Sequence, residues 1–307
     1  MVTERSHMSG EQETGSAPQS PELNIAVLGD LHGHLTLAYR LLRRWERESG
    51  KNVDVILQVG DLGAFPPPYR IDKATMRFAQ KDPDELGFAQ YYEGSPEADG
   101  ILGSEAPDET RIGARMYFIK GNHEDFEFLH GMRSFDGGPV PVDFYGMILH
   151  AQNGTIFPVS LNGMTVRVAC LGGLAFHGGP GTGNGIWYTQ SEVKRLWGAG
   201  AADILLTHDV PFGAVYAEAG SRDILEYVSH VPPLFHFCGH YHEDGQQLDV
   251  PGTTRSFLLN EVGFRKPASL NAGCIGILQW RSPTDCGFEL LRQPWLQDYT
   301  RQNFREL

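Results

Sequence analysis

Apolar residues are grouped along the chain in short runs of strand length, and polar or amphipathic stretches separate them. Such runs occur at residues 24–30, 53–61, 116–124, 165–173, 202–211 and 234–244, and two more close the chain at 274–280 and 286–291. Between the first two runs, Ala38, Leu41, Leu42 and Trp45 recur at helical spacing, which predicts a helix over residues 35–49. The pattern therefore predicts strands that alternate with helices.

A second helix is predicted over residues 190–198, because Thr189 and Glu192 form a capping-box pattern. Short apolar strands separated by helices indicate an α/β fold with much of its sheet buried. Residues 64–113 interrupt this alternation, opening with "AFPPPYR" and passing through the acidic "EGSPEADGILGSEAPDET". We expect this insertion to be mobile in its acidic half. We also expect a disordered tail at residues 1–22 and a single domain over residues 23–307 that carries the insertion.

Composition and charge narrow the classes of function. Of the 307 residues, 41% are apolar and 21% charged, as in ordinary globular proteins, and neither a membrane span nor a signal peptide is apparent. We therefore expect a cytoplasmic protein with no membrane partner, whose four widely spaced cysteines are reduced thiols. The formal charge of −13 argues against electrostatic binding of long nucleic acid over a large surface. It leaves room for a small anionic substrate if bound cations supply positive charge. The oligomeric state is left open.

Polar residues follow five of the apolar runs at once, usually after a glycine. The series is Asp30 and His32, then Asp61, then Asn122, His123 and Glu124, then His208, then His240 and His242. Because ligands bind at the carboxyl ends of strands in an α/β sheet, we expect these side chains to form one site. Two Asp, one Asn and four His make a mixed nitrogen and oxygen set, which suits Mn, Fe or Zn better than Ca.

The series G-D-x-H-G, G-D, G-N-H-E, H and G-H-x-H, over about residues 24–245, resembles the calcineurin-like metallophosphoesterase superfamily. This resemblance implies a central β-sandwich flanked by helices, with the metal site at the carboxyl ends of the strands. It also implies two divalent metal ions (Mn, Fe or Zn). The first ion would be bound by Asp30, His32 and His242, the second by Asn122, His208 and His240, and Asp61 would bridge the two.

The resemblance assigns the catalytic role to His123, which would face the phosphate and the leaving group. In the family the third block usually ends in an Asp that orients this imidazole, whereas this chain has Glu124. Other details resemble the lariat debranching enzymes, including that Glu and the Pro211 that follows His208-Asp209. The best-known eukaryotic debranching enzymes have Cys at the position of Asp30, so the Asp favours a fully dinuclear site.

We predict a metal-dependent phosphoesterase that hydrolyses a phosphomonoester or phosphodiester with a metal-bridging hydroxide. A small phosphodiester or nucleotide is the expected substrate, because the chain is acidic and offers little basic clustering. The glycine-rich loop at residues 177–189 is either a surface connection or a flap over the metals, and its His177 is a candidate substrate-binding residue. Two alternatives stay open: an RNA-directed, debranching-like phosphodiesterase, and a non-catalytic metal-binding scaffold.

Overall fold

The structure is a computed structural model, and it describes residues 21–176, 185–265 and 269–307. The strands are β1 (Leu23–Leu28), β2 (Val55–Gln58), β3 (Arg115–Phe118), β4 (Val140–Pro141), β5 (Ile148–His150), β6 (Thr155–Leu161), β7 (Met164–Leu171), β8 (Ile204–Thr207), β9 (Phe235–Cys238), β10 (Gln246–Leu248), β11 (Arg255–Leu258), β12 (Phe264–Arg265), β13 (Ser269–Leu270), β14 (Ile275–Ser282) and β15 (Asp285–Leu290). The α-helices are α1 (Leu35–Ser49), α2 (Lys73–Ala79), α3 (Phe88–Glu93), α4 (Pro96–Leu102), α5 (Phe126–Gly131), α6 (Gln190–Gly198) and α7 (Arg222–His230). Two short 3₁₀ helices lie at Pro83–Leu86 and Pro294–Asp298.

Two main sheets form the centre of the fold. The first has the strand order β15-β14-β1-β2-β3-β5-β4, and the second has the order β10-β11-β9-β8-β7-β6. Strands β1, β2, β3 and β5 are parallel to one another, as are β7, β8, β9 and β11. Each parallel group therefore brings its carboxyl ends to one edge, where the predicted site residues follow.

Apolar side chains fill the space between the two sheets. Ile25 and Val27 of β1 share one buried cluster with Val168 of β7 and Phe235 and Phe237 of β9. The outer face of the first sheet packs against α1, and the outer face of the second packs against α6 and α7. The expected central β-sandwich flanked by helices is thus confirmed. The helices predicted at residues 35–49 and 190–198 are present as well, the second with its complete Thr189–Glu192 capping box.

The insertion at residues 64–113 is more ordered than its composition predicted. Its acidic half contains α4, which begins at Pro96 with the Ser95 side chain accepting a hydrogen bond from the Ala98 N–H. Ala98 and Ile101 are buried, and they belong to the same apolar cluster as α1. Burial of these few apolar side chains, which the acidic composition concealed, fixes the segment against the domain.

Cys170, Cys238 and Cys274 are buried free thiols and Cys286 is partly exposed, as predicted. Within the described ranges, no helix combines the length and the apolar character that crossing a bilayer requires.

Candidate metal centre

The loops that follow β1 and β2 are joined at the edge of the first sheet. The backbone N–H groups of Leu31 and His32 both donate to the Asp61 carbonyl, at 2.9 and 2.8 Å. The Asp61 side chain in turn accepts from the N–H groups of Asn122 and His123, at 2.5 and 2.7 Å. These contacts connect three strand ends through one residue. They explain why the polar residues after separate strands come together.

The backbone is strained where the predicted ligands lie. Among the described residues, five that are not glycine have a positive φ, and four of these are His32 (41°), Asp61 (53°), His240 (72°) and His242 (49°). Left-handed backbone is unfavourable for such residues, and it persists where the surrounding structure enforces it. Its concentration in this small region indicates a site whose side-chain directions are functionally constrained.

The first group of candidate ligands consists of Asp30, His32 and His242, whose ligand atoms all lie within 4.8 Å of one another. The His242 Nε2 is 2.9 Å from the Asp30 Oδ2 and 3.4 Å from the His32 Nε2. On the other side of the His242 ring, Nδ1 lies 3.4 Å from the Glu261 Oε2. A carboxylate behind an imidazole orients it and directs the opposite nitrogen toward a metal. Glu261 was missed by sequence reasoning, because no pattern connects it with His242.

The second group shares Asp30 and adds Asp61 and His208, again with ligand atoms within 4.8 Å. The His208 Nδ1 lies 3.0 Å from the Val59 carbonyl, which it can reach only as a donor. This leaves Nε2 as the atom that could bind a metal, 3.0 Å from the Asn122 Oδ1 and 3.4 Å from the Asp61 Oδ2. The Asn122 side chain therefore lies beside this group.

His240 lies beside both groups. Its ring centroid is 5.1 Å from that of His208, and its N–H donates to the Asp30 carboxylate at 3.1 Å. Burial, and after it the charge of His208, lowers the pKa of His240 to about 4. The imidazole is therefore neutral near neutral pH, which is the form that binds a metal.

The two carboxylates at the centre fit a cation. Asp30 and Asp61 are completely buried. Burial raises the pKa of a carboxyl, but the charge of His208, its hydrogen bond to Asp61 and the charges of His32 and His123 together hold the pKa of Asp61 well below its usual range. Against the effect of its own burial, the pKa of His208 is raised by Asp61 and Asp30. A protonated imidazole supplies the positive charge here, and a divalent cation would supply it in its place.

Glycines leave space for these carboxylates. A Cβ atom on Gly121 would lie 2.0 Å from the Asp61 Oδ1, and one on Gly239 would lie 2.2 Å from the Asp30 Oδ1. Neither distance is sterically allowed, so any other residue would displace a candidate ligand. The space beside Gly121 and Gly239 and the nitrogen and oxygen donors around it both fit the metal ions that the sequence predicted.

The structure gives His123 an unexpected partner. Its Nδ1 lies 3.0 Å from the Oδ2 of Asp72, at the start of α2 in the insertion. Asp72 is also the N-cap of that helix, accepting from the N–H groups of Ala74 and Thr75. The sequence contains no signal for this contact, because the two residues are 51 positions apart.

Glu124 has a different task. Its carboxylate accepts hydrogen bonds from the N–H groups of Leu62 and Ala64, at 2.9 and 2.6 Å, and so secures the turn after Asp61. Burial, and after it the charge of Asp61, raises the pKa of Glu124 to about 8. The position that in the family usually orients the imidazole therefore supports the backbone in this chain.

A cavity of about 490 Å³ opens beside the rings of His32, His123 and His242. Its other walls come from the insertion and the C-terminal segment, including Phe78, Lys81, Asp82, Phe264, Arg265 and Arg301. His177, the candidate substrate-binding residue, lies outside the described residues.

A third group with close ligand atoms, formed by His34, Asp82 and Asp84, lies in the insertion. The two carboxylates already pair with Arg301 and Arg305, and the His34 Nε2 lies 3.2 Å from the Asp82 Oδ2. This cluster is thus charge-balanced without a metal, and it fastens the insertion to the loop after β1.

Comparisons with known proteins agree with this geometry. Lariat debranching enzymes are similar to this chain: that of Entamoeba histolytica is 23% identical over 278 residues, covering 80% of this chain and 71% of that protein. That of Drosophila melanogaster is 27% identical over 256 residues, covering 72% of this chain and 43% of that protein, so this chain matches less than half its length. The solved structure of TT1561 from Thermus thermophilus shares the fold, with a TM-score of 0.50 at 15% identity, covering 89% of this chain and all of that one.

The sequence model of the calcineurin-like phosphoesterase family matches residues 23–244, which contain every predicted metal ligand and His123. Members of this family are metal-dependent hydrolases of phosphoric esters, and the protein described here belongs to the calcineurin-like phosphoesterase family.

Proposed function

We propose that this protein is a phosphodiesterase that uses two divalent metal ions and acts on a small phosphodiester or nucleotide. The observation that carries the proposal is the pair of buried carboxylates, Asp30 and Asp61, with His32, His208 and His242 around them. The two ligand groups share Asp30, and the Asp61 Oδ2 lies 3.4 Å from the His208 Nε2 and 3.8 Å from the His32 Nε2, an arrangement that fits two adjacent cations better than one.

Each ion would have its own ligands. Asp30, His32 and His242 would hold the first, Asn122, His208 and His240 would hold the second, and Asp61 would bind both. When bound, the ions would polarise the phosphoryl oxygens and lower the pKa of a coordinated water toward about 7, supplying a nucleophile and charge stabilisation. The donor set is compatible with Mn, Fe or Zn.

His123 would act on the leaving group. Its ring centroid is 5.5 Å from that of His32, so it borders the metal centre on the side of the cavity. Because Nδ1 contacts Asp72, Nε2 is the nitrogen left to meet the substrate. In the protonated imidazole, Nε2–H would donate its proton to the departing alkoxide oxygen. The Asp72 carboxylate stabilises that protonated form and limits rotation of the ring.

The cavity indicates the size of the substrate. A volume of about 490 Å³ is in the range of small-molecule sites, and Phe78 and Phe264 offer apolar contact for a base. Two of its cations, Arg265 and Arg301, already pair with Asp244 and Asp82. A long polyanion would require more free positive charge than this wall provides.

A second candidate, an RNA-directed debranching-like phosphodiesterase, is favoured by one observation. The curated relatives named as lariat debranching enzymes match this chain across 72–80% of its length. The match covers only 42–43% of the Drosophila enzymes, so most of their length lies outside it.

The two candidates can be separated by a competition assay on protein of measured Mn, Fe and Zn content. A dinucleotide, a linear oligonucleotide and a branched oligonucleotide would compete for hydrolysis at several salt concentrations. We expect the dinucleotide to be preferred, with a shallow salt dependence. Preferred cleavage of the branched oligonucleotide, with steep salt dependence from many neutralised phosphates, would replace our proposal with the debranching-like function. Absence of turnover on every diester in metal-loaded protein would refute both.

A further inference from the structure

A second cavity, of about 430 Å³, is lined in part by α5 and shares no lining residue with the cavity beside the metal centre. Its cationic wall is formed by Lys120, Arg133 and Arg195, which follow β3, follow α5 and lie on α6, respectively. The amides of Gln152 and Asn153 complete the polar surface. Three cations from three separate elements converge here, in a chain whose formal charge is −13.

Lys120 is half-buried; burial lowers its pKa, and the charge of Glu192 in the same cavity partly opposes this shift. Its Nζ donates to the carbonyls of Gly185 and Trp187, at 2.5 and 3.0 Å, and lies 5.8 Å from the centre of the Phe126 ring. Among the described residues, no carboxylate pairs with it. A partly buried ammonium is stabilised by a nearby negative charge, and one of its three donors is still available.

The two arginines have donors to spare as well. The Arg195 Nη2 donates a hydrogen bond to the Asn153 carbonyl, at 3.0 Å. In the described part of the chain, no carboxylate forms an ion pair with Arg195 or Arg133. The acidic residues that line the cavity are engaged elsewhere: Glu192 closes the capping box of α6, and Glu127 lies 3.5 Å from Arg70. The three cations therefore have donors to spare, and the His150 Nδ1 in the same cavity also has no hydrogen-bond partner among the described residues.

A purely structural role explains only part of this arrangement. Through Gly185 and Trp187, Lys120 fastens the segment that leads into α6. That role requires neither Arg133, which has no hydrogen-bond or ion-pair partner in the described chain, nor a cavity larger than a water site.

We propose that the second cavity binds a phosphate group that is not the one being cleaved. Three cations from separate elements suit a tetrahedral oxyanion better than a planar carboxylate, which offers only two oxygens. Lys120 precedes the candidate ligand Asn122 by two residues, an extended span of at most about 7 Å, and only the assignment of the site to a second phosphate of the substrate rests on the proposed function. The phosphate group is either a second phosphate of the substrate or free phosphate. Its chemistry is the same in both cases.

Binding is tested first without catalysis. Inorganic phosphate is titrated by calorimetry into chelator-stripped wild-type protein and into Arg195→Gln and Arg133→Gln variants. We expect each variant to weaken binding by about tenfold, the loss of one charged contact that is partly exposed to solvent. Lys194→Gln is the matched control, because this neighbour on α6 is exposed and does not line the cavity. Wild-type protein that binds no phosphate at millimolar concentration, or binding that both arginine variants leave unchanged, would overturn the proposal.

The source of the phosphate is tested with metal-loaded protein and a dinucleotide that carries or lacks a terminal phosphate. If the substrate supplies the group, the terminal phosphate lowers KM by about tenfold in the wild-type enzyme, and Arg195→Gln removes this advantage. An unchanged KM, together with phosphate binding to stripped protein, assigns the site to free phosphate. If no diester is hydrolysed while stripped protein still binds phosphate, the proposed function fails and the anion site stands.

Discussion

The contact between His123 and Asp72 leads to a sharp prediction about the Asp72→Asn variant. The Asn oxygen still accepts from the N–H groups of Ala74 and Thr75, because Asn and Asp are equally good N-caps. Helix α2 is therefore retained, while the negative charge beside the imidazole is lost. The variant separates the two tasks that Asp72 performs in the structure.

The expected loss follows from one hydrogen bond. The His123 Nδ1 and the Asp72 Oδ2 are 3.0 Å apart, and a charge-assisted bond of this kind contributes about 1.5–3 kcal/mol. The two side chains are 28% and 39% exposed, so solvent screening reduces this to about 1–2 kcal/mol. We therefore expect kcat/KM to fall by roughly 5- to 30-fold for a substrate with a poor leaving group.

The assay compares a dinucleotide with a p-nitrophenyl diester. The nitrophenolate leaves with little help from a proton, so the defect should shrink with that substrate if Asp72 acts through the acid His123. Bound metal is measured in the same samples and should be unchanged. Asp72→Ala should show the same pattern and, in addition, lose about 1 kcal/mol of stability with the helix cap.

Ser95→Ala is the control, because it removes the cap of α4 in the same insertion without touching His123. Activity of Asp72→Asn equal to wild type with the poor leaving group would refute the reasoning. Equal losses with both substrates, or a loss of metal, would show that Asp72 supports the site as a whole and not the acid.

Three further predictions follow from the same structure. Asp61→Ala should abolish turnover and sharply lower the content of both ions, so full activity would contradict a shared ligand. His123→Ala should keep its metals yet lose roughly 10²–10⁴-fold in rate with poor leaving groups, whereas reduced metal content would make it a ligand. Burial opposes ionisation of Asp82, but its hydrogen bond with His34, their charge interaction and Arg301 hold its pKa to about 2. Since that value lies below the ordinary pKa of about 3.9, the ionised Asp82 stabilises the fold, and Asp82→Asn should lower the free energy of unfolding by at most about 2 kcal/mol near pH 6. Urea unfolding should show the difference between wild type and variant becoming smaller toward pH 3, where Asp82 becomes protonated. A difference that stays constant with pH would contradict the pairing.

The sequence by itself determined that the candidate site residues lie at the carboxyl ends of the parallel strands. Asp30, Asp61, Asn122, His208 and His240 each follow an apolar run, and parallel strands end at one edge, so their proximity was predictable. The α/β class followed from the same local pattern, because strands buried on both faces are continuous apolar runs, whereas apolar positions in helices recur about every 3.6 residues. Even the helix in the acidic half of the insertion carried a local signal, the Ser-Pro pair that begins α4.

Only the tertiary structure decided which side chains support that edge. Asp72 meets His123 from a separate helix, Glu261 meets His242 from the loop after β11, and Glu124 turns to the backbone instead of its neighbour. The cationic second cavity likewise unites elements that have no common pattern. Such contacts depend on how far and at what angle packed elements approach each other. Periodicity and spacing record the local conformation of each segment, whereas these distances are set by the packing of the whole core.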